Sequence, residues 1–423
     1  MTVAFDDPVL AAADRFLKTF QCPARLLAAV SGGSDSTGLF IAFATLLSAG
    51  RHPHVTLCAA TVDHGLRAGS AEEAAAVAAL CARHGIAHAT RRWDGPKPVS
   101  GLQAAARAER YRLLVDAARA MGADAILAAH TRGDQSETVA MRAARAPEGI
   151  GLSGMADGVL LDGAVWLLRP FLAIGRQDIR AFLAARGEDW IDDPSNLNPR
   201  FERVRVRGVG EGPEAAAGRL SLSQRAAAFL LEAVTAEGPL FKLPAPAVTA
   251  ALADPAAWRG LLVLAATAGG RAHGLEARSA ARLRTFLASG TLSRLTAGRV
   301  VFDHRRDGLH LYRECRGIVP LAVSAGAGAV WDGRCRVVNR TGRALVVSAV
   351  GDAAGGELRG PALRAARAAP RLNFEDGQAV REGAEVVPVI APYAHFLPRF
   401  DLPLAQALAV LLGCAPFPSP PNE

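Results

Sequence analysis

The chain of 423 residues is half hydrophobic and 21% charged, with a formal net charge of +8 and a pI near 9.7. No apolar run approaches the ~20 residues of a membrane span, and the six cysteines form no Cys-x-x-Cys pair, so we expect neither a membrane protein nor a metal cluster. The acidic start of the chain does not resemble a signal peptide, and we expect a cytoplasmic protein whose positive charge favours a nucleic-acid partner.

Hydrophobic patterning predicts alternating strands and helices over the first half of the chain. The predicted helices are 9–20, 37–47, 70–85, 101–120 and 177–186, and the predicted strands are 25–30, 54–62, 86–93, 124–129 and 165–168. Ser70 is expected to cap the third helix, with Glu73 as its capping-box partner. This alternation predicts an α/β fold built on a doubly wound, mostly parallel sheet covered on both faces.

The second half of the chain reads differently. A glycine- and alanine-rich stretch at 208–218 is the expected linker, followed by helices and then by strands. The expected helices are 220–237, 248–252, 255–268 and 275–289, and the expected strands are 300–302, 308–312, 329–338 and 344–350. We therefore predict three domains: 1–207, an all-helical 219–298, and a small mixed 299–423 whose residues 351–385 are loop-rich and whose tail after Cys414 is frayed.

A polar loop follows the first predicted strand and opens a helix. Its residues are Ser31, Gly32, Gly33, Ser34, Asp35 and Ser36. Two glycines allow close backbone approach to a phosphate, and the first helical turn favours an anion. The loop lacks the lysine of a Walker A motif, which suits a pyrophosphate held by backbone and hydroxyl donors, with Asp35 available to magnesium. The same residues could also form an ordinary flexible polar turn.

Two more polar clusters follow predicted strands, and in a parallel sheet all three should converge beyond the strands' carboxyl ends. One contains Asp63 and His64, and the other contains His130, Asp134 and Glu137. The carboxylates at 134 and 137 share one helix face and could bind magnesium or an ammonium group. Acidic residues at a helix start also satisfy the helix dipole, and a lone histidine is commonly structural.

Arginines form two candidate contact sites for phosphate. Arg107 and Arg110 lie three apart on a predicted helix and can face one phosphate together, although solvated surface arginines have the same spacing. Further on, the candidate RNA-binding residues are Arg200, Arg203, Arg205 and Arg207. The last three alternate, which in a strand places them on one face as a track for phosphates.

These motifs resemble those of the tRNA(Ile)-lysidine synthetases within the PP-loop ATP pyrophosphatase superfamily. The matching segments are 31–36, 63–67, 106–111, 129–138, 151–155, 169–170 and 193–196 with Arg203 and Arg205. The resemblance covers about residues 25–207. The sequence departs from the family pattern at Gly133, at Ala146-Pro147 and at Asn198.

The resemblance implies that ATP activates the C2 carbonyl of the wobble cytidine in an isoleucine tRNA with a CAU anticodon, and that free L-lysine then displaces AMP. It implies ATP bound by residues 31–36 with Asp63 and His64 nearby, and Mg²⁺ bound by Asp35. Asp134 and Glu137 are then candidates for metal or lysine binding, with Arg107 and His130 around the adenylate.

Other functions remain open. A tRNA thiolase of the same superfamily would need a catalytic cysteine pair or a cluster-binding motif, and neither is present in the sequence. A small-molecule synthetase would leave the arginine-rich segment without a role. A catalytically inactive tRNA-binding protein would not need the intact glycine loop and both carboxylates.

Overall fold

A computed structural model of the chain describes residues 7–66, 69–145, 153–191 and 213–423. The chain forms two compact units. The first contains residues 1–219 together with 418–423, and the second contains residues 220–417.

Helices and strands alternate through the first unit. They are α1 (Pro8–Leu17), β1 (Ala24–Ala29), α2 (Ser34–Ser48), β2 (Val55–Asp63), α3 (Ser70–Arg83), β3 (His88–Arg92), α4 (Leu102–Met121), β4 (Ala125–Leu127), α5 (Arg132–Arg145), β5 (Gly158–Leu161), β6 (Val165–Leu168) and α6 (Arg176–Ala184). Six strands of this unit form a sheet in the order β5-β6-β4-β1-β2-β3. All neighbours in it are parallel except β5 and β6, which confirms the predicted α/β fold with a mostly parallel sheet.

The sheet is buried because its central strands are apolar along most of their length. Leu27 of β1, Ile126 of β4 and Leu167 of β6 are fully buried in one core, into which Leu114 of α4 also packs. A strand covered on both faces reads as a continuous apolar run, not as an alternating one. The sequence therefore carries a strong signal for these strands.

Two local features of this unit differ from the sequence prediction. Gly69, with a φ of 88°, is the N-cap of α3, and Ser70 is its first helical residue, so the predicted Ser70 cap was wrong. Strand β5 was not predicted, although the Asp162-Gly163 turn that joins it to β6 has positive φ at both residues, the geometry of a tight hairpin.

The second unit combines helices with three antiparallel sheets. Its elements are α7 (Pro213–Ala233, which contains the boundary at 219/220), β7 (Thr235–Glu237), β8 (Leu240–Pro244), α8 (Ala245–Ala253), α9 (Pro255–Ala268), α10 (Ala277–Ala288), β9 (Arg294–Ala297), β10 (Val300–Arg305), β11 (Gly308–Arg313), β12 (Leu321–Val323), β13 (Gly328–Trp331), β14 (Cys335–Asn339), β15 (Leu345–Ala349), α11 (Gly360–Arg367), β16 (Pro370–Phe374), β17 (Ala384–Pro388), β18 (Phe396–Pro398) and α12 (Leu402–Leu412). The sheets have the orders β7-β8-β11-β10-β9, β12-β15-β16 and β13-β14-β17.

The prediction that 219–298 is all helical was wrong. Strands β7, β8 and β9 lie inside this range, and β9 pairs with β10 across residue 298. A boundary at 298 would cut this sheet. Strands of three to five residues are too short to show a periodicity of two, which explains why they were missed. The three predicted domain ranges otherwise stay a prediction.

Three further expectations for the second half need correction. Residues 213–218 of the expected linker begin α7, since alanine favours helix strongly; the linker's other residues, 208–212, lie outside the described residues. The strand expected at 329–338 is the hairpin of β13 and β14, which turns at Asp332-Gly333, both with positive φ. The loop-rich range 351–385 contains α11 and β16.

The tail after Cys414 is held by hydrogen bonds, so the prediction of a frayed end was wrong. The Gln406 side-chain amide bonds to both backbone groups of Phe417. In the first unit, the Trp166 indole N–H donates to the Pro418 carbonyl oxygen at 3.0 Å. The proline-rich composition of the tail gave no sign of these contacts. Each contact joins a side chain to the backbone of a residue that lies at least 11 positions away in the sequence.

Among the described residues, no single helix has both the length and the apolar composition to span a membrane. Helices α8 and α9, bent by 114° at their junction, meet the criterion only as a pair.

Candidate active site

The three polar clusters follow neighbouring strands. Strand β1 lies between β2 and β4 and is parallel to both, so the loops that leave the carboxyl ends of these strands meet at one edge of the sheet. The chain leaves β1 toward β2 on one side, while β4 lies on the other. Ligands of open α/β sheets bind at such a reversal of strand order. The glycine loop, after β1, lies at this point.

The glycine loop is shaped by its backbone. Gly32 has a φ of 87°, a conformation that costs little only for glycine. A Cβ at this position would lie 2.7 Å from Cδ1 of Ile191, and the Ile191 N–H donates to the Gly32 carbonyl oxygen at 2.9 Å. Gly32 is therefore required both for the turn and for the close approach of Ile191.

Hydroxyl groups hold the loop in this shape. Ser36 Oγ accepts from the Ser31 N–H at 3.1 Å and donates to the Gly33 carbonyl oxygen at 3.1 Å. Thr37 Oγ1 donates to the Gly32 carbonyl oxygen at 3.1 Å. Helix α2 begins at Ser34, so Ser34, Asp35 and Ser36 occupy its first turn as predicted. These hydrogen bonds hold the loop in a closed shape, with the positive end of α2 beside it.

Asp35 makes a forked ion pair with Arg176 at the start of α6. Arg176 Nε lies 2.9 Å from Oδ2 and 3.2 Å from Oδ1 of Asp35, and Nη2 lies 2.8 Å from Oδ2. Burial alone would lower the pKa of Arg176, but the hydrogen bond and charge of Asp35, with the charges of Asp134 and Glu137, raise it. All three predicted metal-binding carboxylates therefore act on this one guanidinium.

Asp134 also closes the start of α5. Its Oδ2 accepts from the Thr131 N–H at 2.8 Å and from Thr131 Oγ1 at 2.9 Å. This contact caps the start of α5. The structural alternative in the sequence was that an acidic residue at a helix start satisfies the helix dipole, and Asp134 lies in the first turn of α5. Among the described residues, no group of three His, Cys, Asp or Glu side chains is arranged to hold a metal ion. The predicted roles of Asp35, Asp134 and Glu137 in metal or lysine binding stay predictions.

His130 belongs to a second group around the buried Arg169. Arg169 Nε donates to His130 Nδ1 at 3.2 Å, and Nη1 donates to the Ala156 carbonyl oxygen at 2.7 Å. Burial lowers the pKa of Arg169, as does the nearby charge of Arg107, while Tyr111 opposes this effect with a hydrogen bond. The guanidinium of Arg107 lies 5.0 Å from the centre of the Tyr111 ring. The predicted site residues Arg107 and His130 are thus connected through Arg169 and Tyr111.

Asp63 and His64 form a third group at the end of β2. Asp63 Oδ1 accepts from the Gly65 N–H at 2.8 Å. Burial would raise the pKa of Asp63, but hydrogen bonds from Ser70 and Gly65 and the charge of Arg92 outweigh it and lower the pKa. Burial and the charge of Arg110 lower the pKa of His64, and its buried Nδ1 has no hydrogen-bond partner.

The predicted RNA-binding residues Arg200, Arg203, Arg205 and Arg207 lie outside the described residues, as do Ala146, Pro147 and Asn198. Gly133 is the second residue of α5. Because glycine has no side chain, position 133 supplies no carboxylate, and Asp134 is the first carboxylate of α5.

A cavity of about 1140 Å³ in the second unit, here called the arginine cavity, is lined mainly by charged residues. Its seven arginines are Arg294, Arg305, Arg306, Arg313, Arg316, Arg364 and Arg367. Three acidic residues, Asp303, Asp307 and Glu314, also line it. The positive excess favours a polyanionic ligand.

Arg176 and Ile191 were not predicted as site residues, and Arg169 was noted only as part of a motif. One signal for Arg176 was present: it directly precedes the predicted helix 177–186, and a cation at a helix start opposes the helix dipole, so a nearby carboxylate would stabilise it. No comparable signal marks Ile191, since its contact with Gly32 spans more than 150 residues of sequence.

Comparisons with known proteins agree with this fold. Residues 8–209 match a family model described as a PP-loop domain. A tRNA(Ile)-lysidine synthase of Rhizobium meliloti strain 1021 is 45% identical, over 98% of this chain and 97% of the relative. Its counterpart in Mesorhizobium japonicum is 41% identical over 93% and 94% of the two chains, and that of Brucella ovis is 39% identical over 92% and 95%.

Proposed function

The chain belongs to the tRNA(Ile)-lysidine synthase family of ligases, and from this membership we propose that it joins free lysine to C2 of the wobble cytidine of an isoleucine tRNA with a CAU anticodon. ATP is the proposed energy source. The observation that supports this most directly is the closed glycine loop with Asp35 at the reversal of strand order beside β1.

The proposed reaction has two steps. The C2 carbonyl oxygen of cytidine attacks the α-phosphorus of ATP, which forms an adenylated cytidine and releases pyrophosphate. The ε-amino nitrogen of lysine then attacks C2, the bond from C2 to the adenylate oxygen breaks, and AMP leaves. The lysine nitrogen loses a proton, and the product is lysidine. Pyrophosphate departure removes the need for a Walker lysine at the γ-phosphate.

The glycine loop fits a pyrophosphate group. The turn at Gly32 brings backbone close to the ligand without a Cβ, and the N-terminus of α2 supplies N–H donors and positive dipole. Magnesium in nucleotide sites is commonly held by one or two carboxylates together with the substrate phosphates. Asp35 is the carboxylate we assign to it, and the bound ion would neutralise charge on the leaving pyrophosphate.

Asp134 and Glu137 are the residues we assign to lysine. Both act electrostatically on Arg176, so they lie where a positive charge is stabilised. A lysine ammonium group would be held there by the same attraction. His130 and Arg107, coupled through Arg169 and Tyr111, are assigned to the adenylate side of the site.

The arginine cavity is the surface of the second unit that we assign to tRNA. Its excess of guanidinium groups suits phosphates. Arg200, Arg203, Arg205 and Arg207 are proposed as a further RNA contact. A cytidine in a single-stranded anticodon loop can leave its stack at low cost, which suits attack at C2.

One experiment tests the proposal. The full chain is incubated with Mg²⁺, ATP and labelled lysine, together with an isoleucine tRNA transcript that carries either a CAU or a GAU anticodon. Label in the CAU transcript alone, with AMP and pyrophosphate in equal amounts, is expected. Asp35→Ala should abolish the label. Arg186 pairs with Asp7 outside the site, so Arg186→Gln should retain the label. Label only from a sulfur donor, or from no donor, would contradict the proposal.

A further inference from the structure

Arg176 places a positive charge directly on the carboxylate assigned to magnesium. Two of its nitrogens, Nε and Nη2, approach Asp35 Oδ2 within 3 Å. The Asp35 side chain is 17% exposed, whereas that of Arg176 is 50% exposed. A half-exposed guanidinium therefore lies against a largely enclosed carboxylate and contributes to its enclosure.

The packing of α2 and α6 fixes this pair. Ile179 of α6 lies against Gly38 of α2 so closely that a Cβ at Gly38 would collide with it. At its start α6 is capped by Gly175, whose N–H donates to Asp178 Oδ2 at 3.2 Å. Both helix starts are therefore held in place, and the ion pair is built into the fold.

The position of Arg176 is unfavourable without its acidic neighbours. It is the first residue of α6, where the helix dipole repels a cation. Asp35, Asp134 and Glu137 all raise its pKa and together outweigh the opposite effect of its burial. Their combined negative field is the one that a divalent cation or an ammonium group would use.

We propose that Arg176 is a positioning residue that acts as the resident counter-cation of Asp35 and competes with the divalent cation for its carboxylate. The inference rests on the proposed function, in which Asp35 binds magnesium. A divalent ion must displace at least part of the forked hydrogen bond before it can bind Oδ2. Arg176 thereby sets the concentration of divalent cation at which the site becomes loaded.

The test uses Mn²⁺, whose binding is followed by loss of the free-ion EPR signal, added to the full chain with a nonhydrolysable ATP analogue; the Mn²⁺ bound by the same concentration of analogue without protein is subtracted. Arg176→Gln should lower the half-saturating Mn²⁺ concentration about two- to fivefold, the upper part of the range expected when one partly exposed ion pair is removed. Arg176→Lys keeps the positive charge but cannot form the forked hydrogen bond, so its half-saturating Mn²⁺ concentration should lie between those of wild type and Arg176→Gln. Arg186→Gln, which removes one arginine just beyond α6, should behave as wild type.

Unchanged Mn²⁺ binding in Arg176→Gln would overturn the inference, and so would weaker binding, since weaker binding means that Arg176 prepares Asp35 for the ion. Absence of Mn²⁺ binding in every variant would overturn both the inference and the assignment of magnesium to Asp35. Failure of lysine transfer alongside the expected Mn²⁺ shift would instead contradict only the proposed reaction.

Discussion

The buried side chain of Arg169 donates a hydrogen bond from Nε to Nδ1 of His130 at 3.2 Å. A guanidinium can only donate hydrogen bonds, so Nδ1 must be the acceptor, and the neutral ring carries its proton on Nε2. Arg169 thus fixes both the tautomer and the orientation of His130. In this tautomer Nε2 can donate a hydrogen bond to developing charge, but it cannot accept a proton.

Replacement of Arg169 by Met should destabilise the protein by about 2–4 kcal/mol, because the Ala156 carbonyl oxygen and His130 Nδ1 lose their donors inside the core. Urea unfolding followed by circular dichroism measures the effect. Arg112→Met, which removes an exposed ion pair with Glu109 on α4, should cost less than about 1 kcal/mol. Equal losses in the two variants would show that Arg169 is not a structural centre.

Gly32→Ala should destabilise the protein by about 2 kcal/mol and weaken ATP binding, because the new Cβ meets Ile191 and the backbone is left-handed. Gly50→Ala is a matched control, since Gly50 has a φ of 68° but open space around it. It should show only the backbone cost. Ile191→Ala combined with Gly32→Ala should be less harmful than the sum of the two changes. Full additivity would rule out the collision.

Local sequence patterns predicted the sheet edge but not the contacts that complete it. The central strands of the first unit are apolar and alternate regularly with helices, so they can be predicted from the sequence. The loops that follow them can be recognised by their glycines and carboxylates. The pair of Asp35 and Arg176 joins residues 141 positions apart, and no local pattern encodes such a distance. Strand β7 has only three residues, and it forms because it pairs with β8. A strand this short shows no hydrophobic periodicity in the sequence.

His64 should make the protein less stable as the pH falls below neutrality. Burial and Arg110 lower its pKa from the ordinary 6.5, so below pH 6.5 the unfolded chain binds the proton more readily than the folded one. The contribution of neutral His64 is fully present above pH 6.5 and is lost progressively below it. Urea unfolding of wild type and His64→Gln between pH 5 and 7.5 should give a shallower pH dependence for the variant.

Burial also lowers the pKa of His88, which affects stability in the same pH range in both wild type and His64→Gln. Only the difference in unfolding free energy between these two proteins therefore reports on His64. Selective labelling of histidine and NMR titration should place the His64 midpoint below 6.5. A midpoint above this value, or identical pH dependence in the two proteins, would contradict the assignment.

The arginine cavity should contribute to tRNA affinity through phosphates. Arg294 and Arg306 line it and are exposed. Changing both to Ala should weaken tRNA binding and reduce the slope of log affinity against log salt by about 1–2, roughly one for each phosphate that is no longer neutralised. Filter binding at several salt concentrations measures the slope. Arg336→Ala, exposed on β14 outside the cavity, should leave it unchanged. An unchanged slope in the double variant would exclude the cavity as a phosphate site.

Asp332 is the buried centre of an ionic cluster in the second unit. It contacts Arg299, Arg313 and Arg334, and the Asp332 and Arg313 side chains are each 2% exposed. Arg299 lies in the turn between β9 and β10 and Asp332 in the turn between β13 and β14. The cluster therefore joins two sheets of this unit.

Asp332→Asn should destabilise the protein by about 3–5 kcal/mol, because Arg313 would then be buried without a neutralising charge. Asparagine tolerates the left-handed backbone at this position, where φ is 51°, so the loss reports on charge and not on backbone strain. Asp376→Asn removes an exposed carboxylate that pairs with Arg343 and should leave the urea midpoint nearly unchanged. If the two variants unfold at the same urea concentration, the three arginines are stabilised by something other than Asp332.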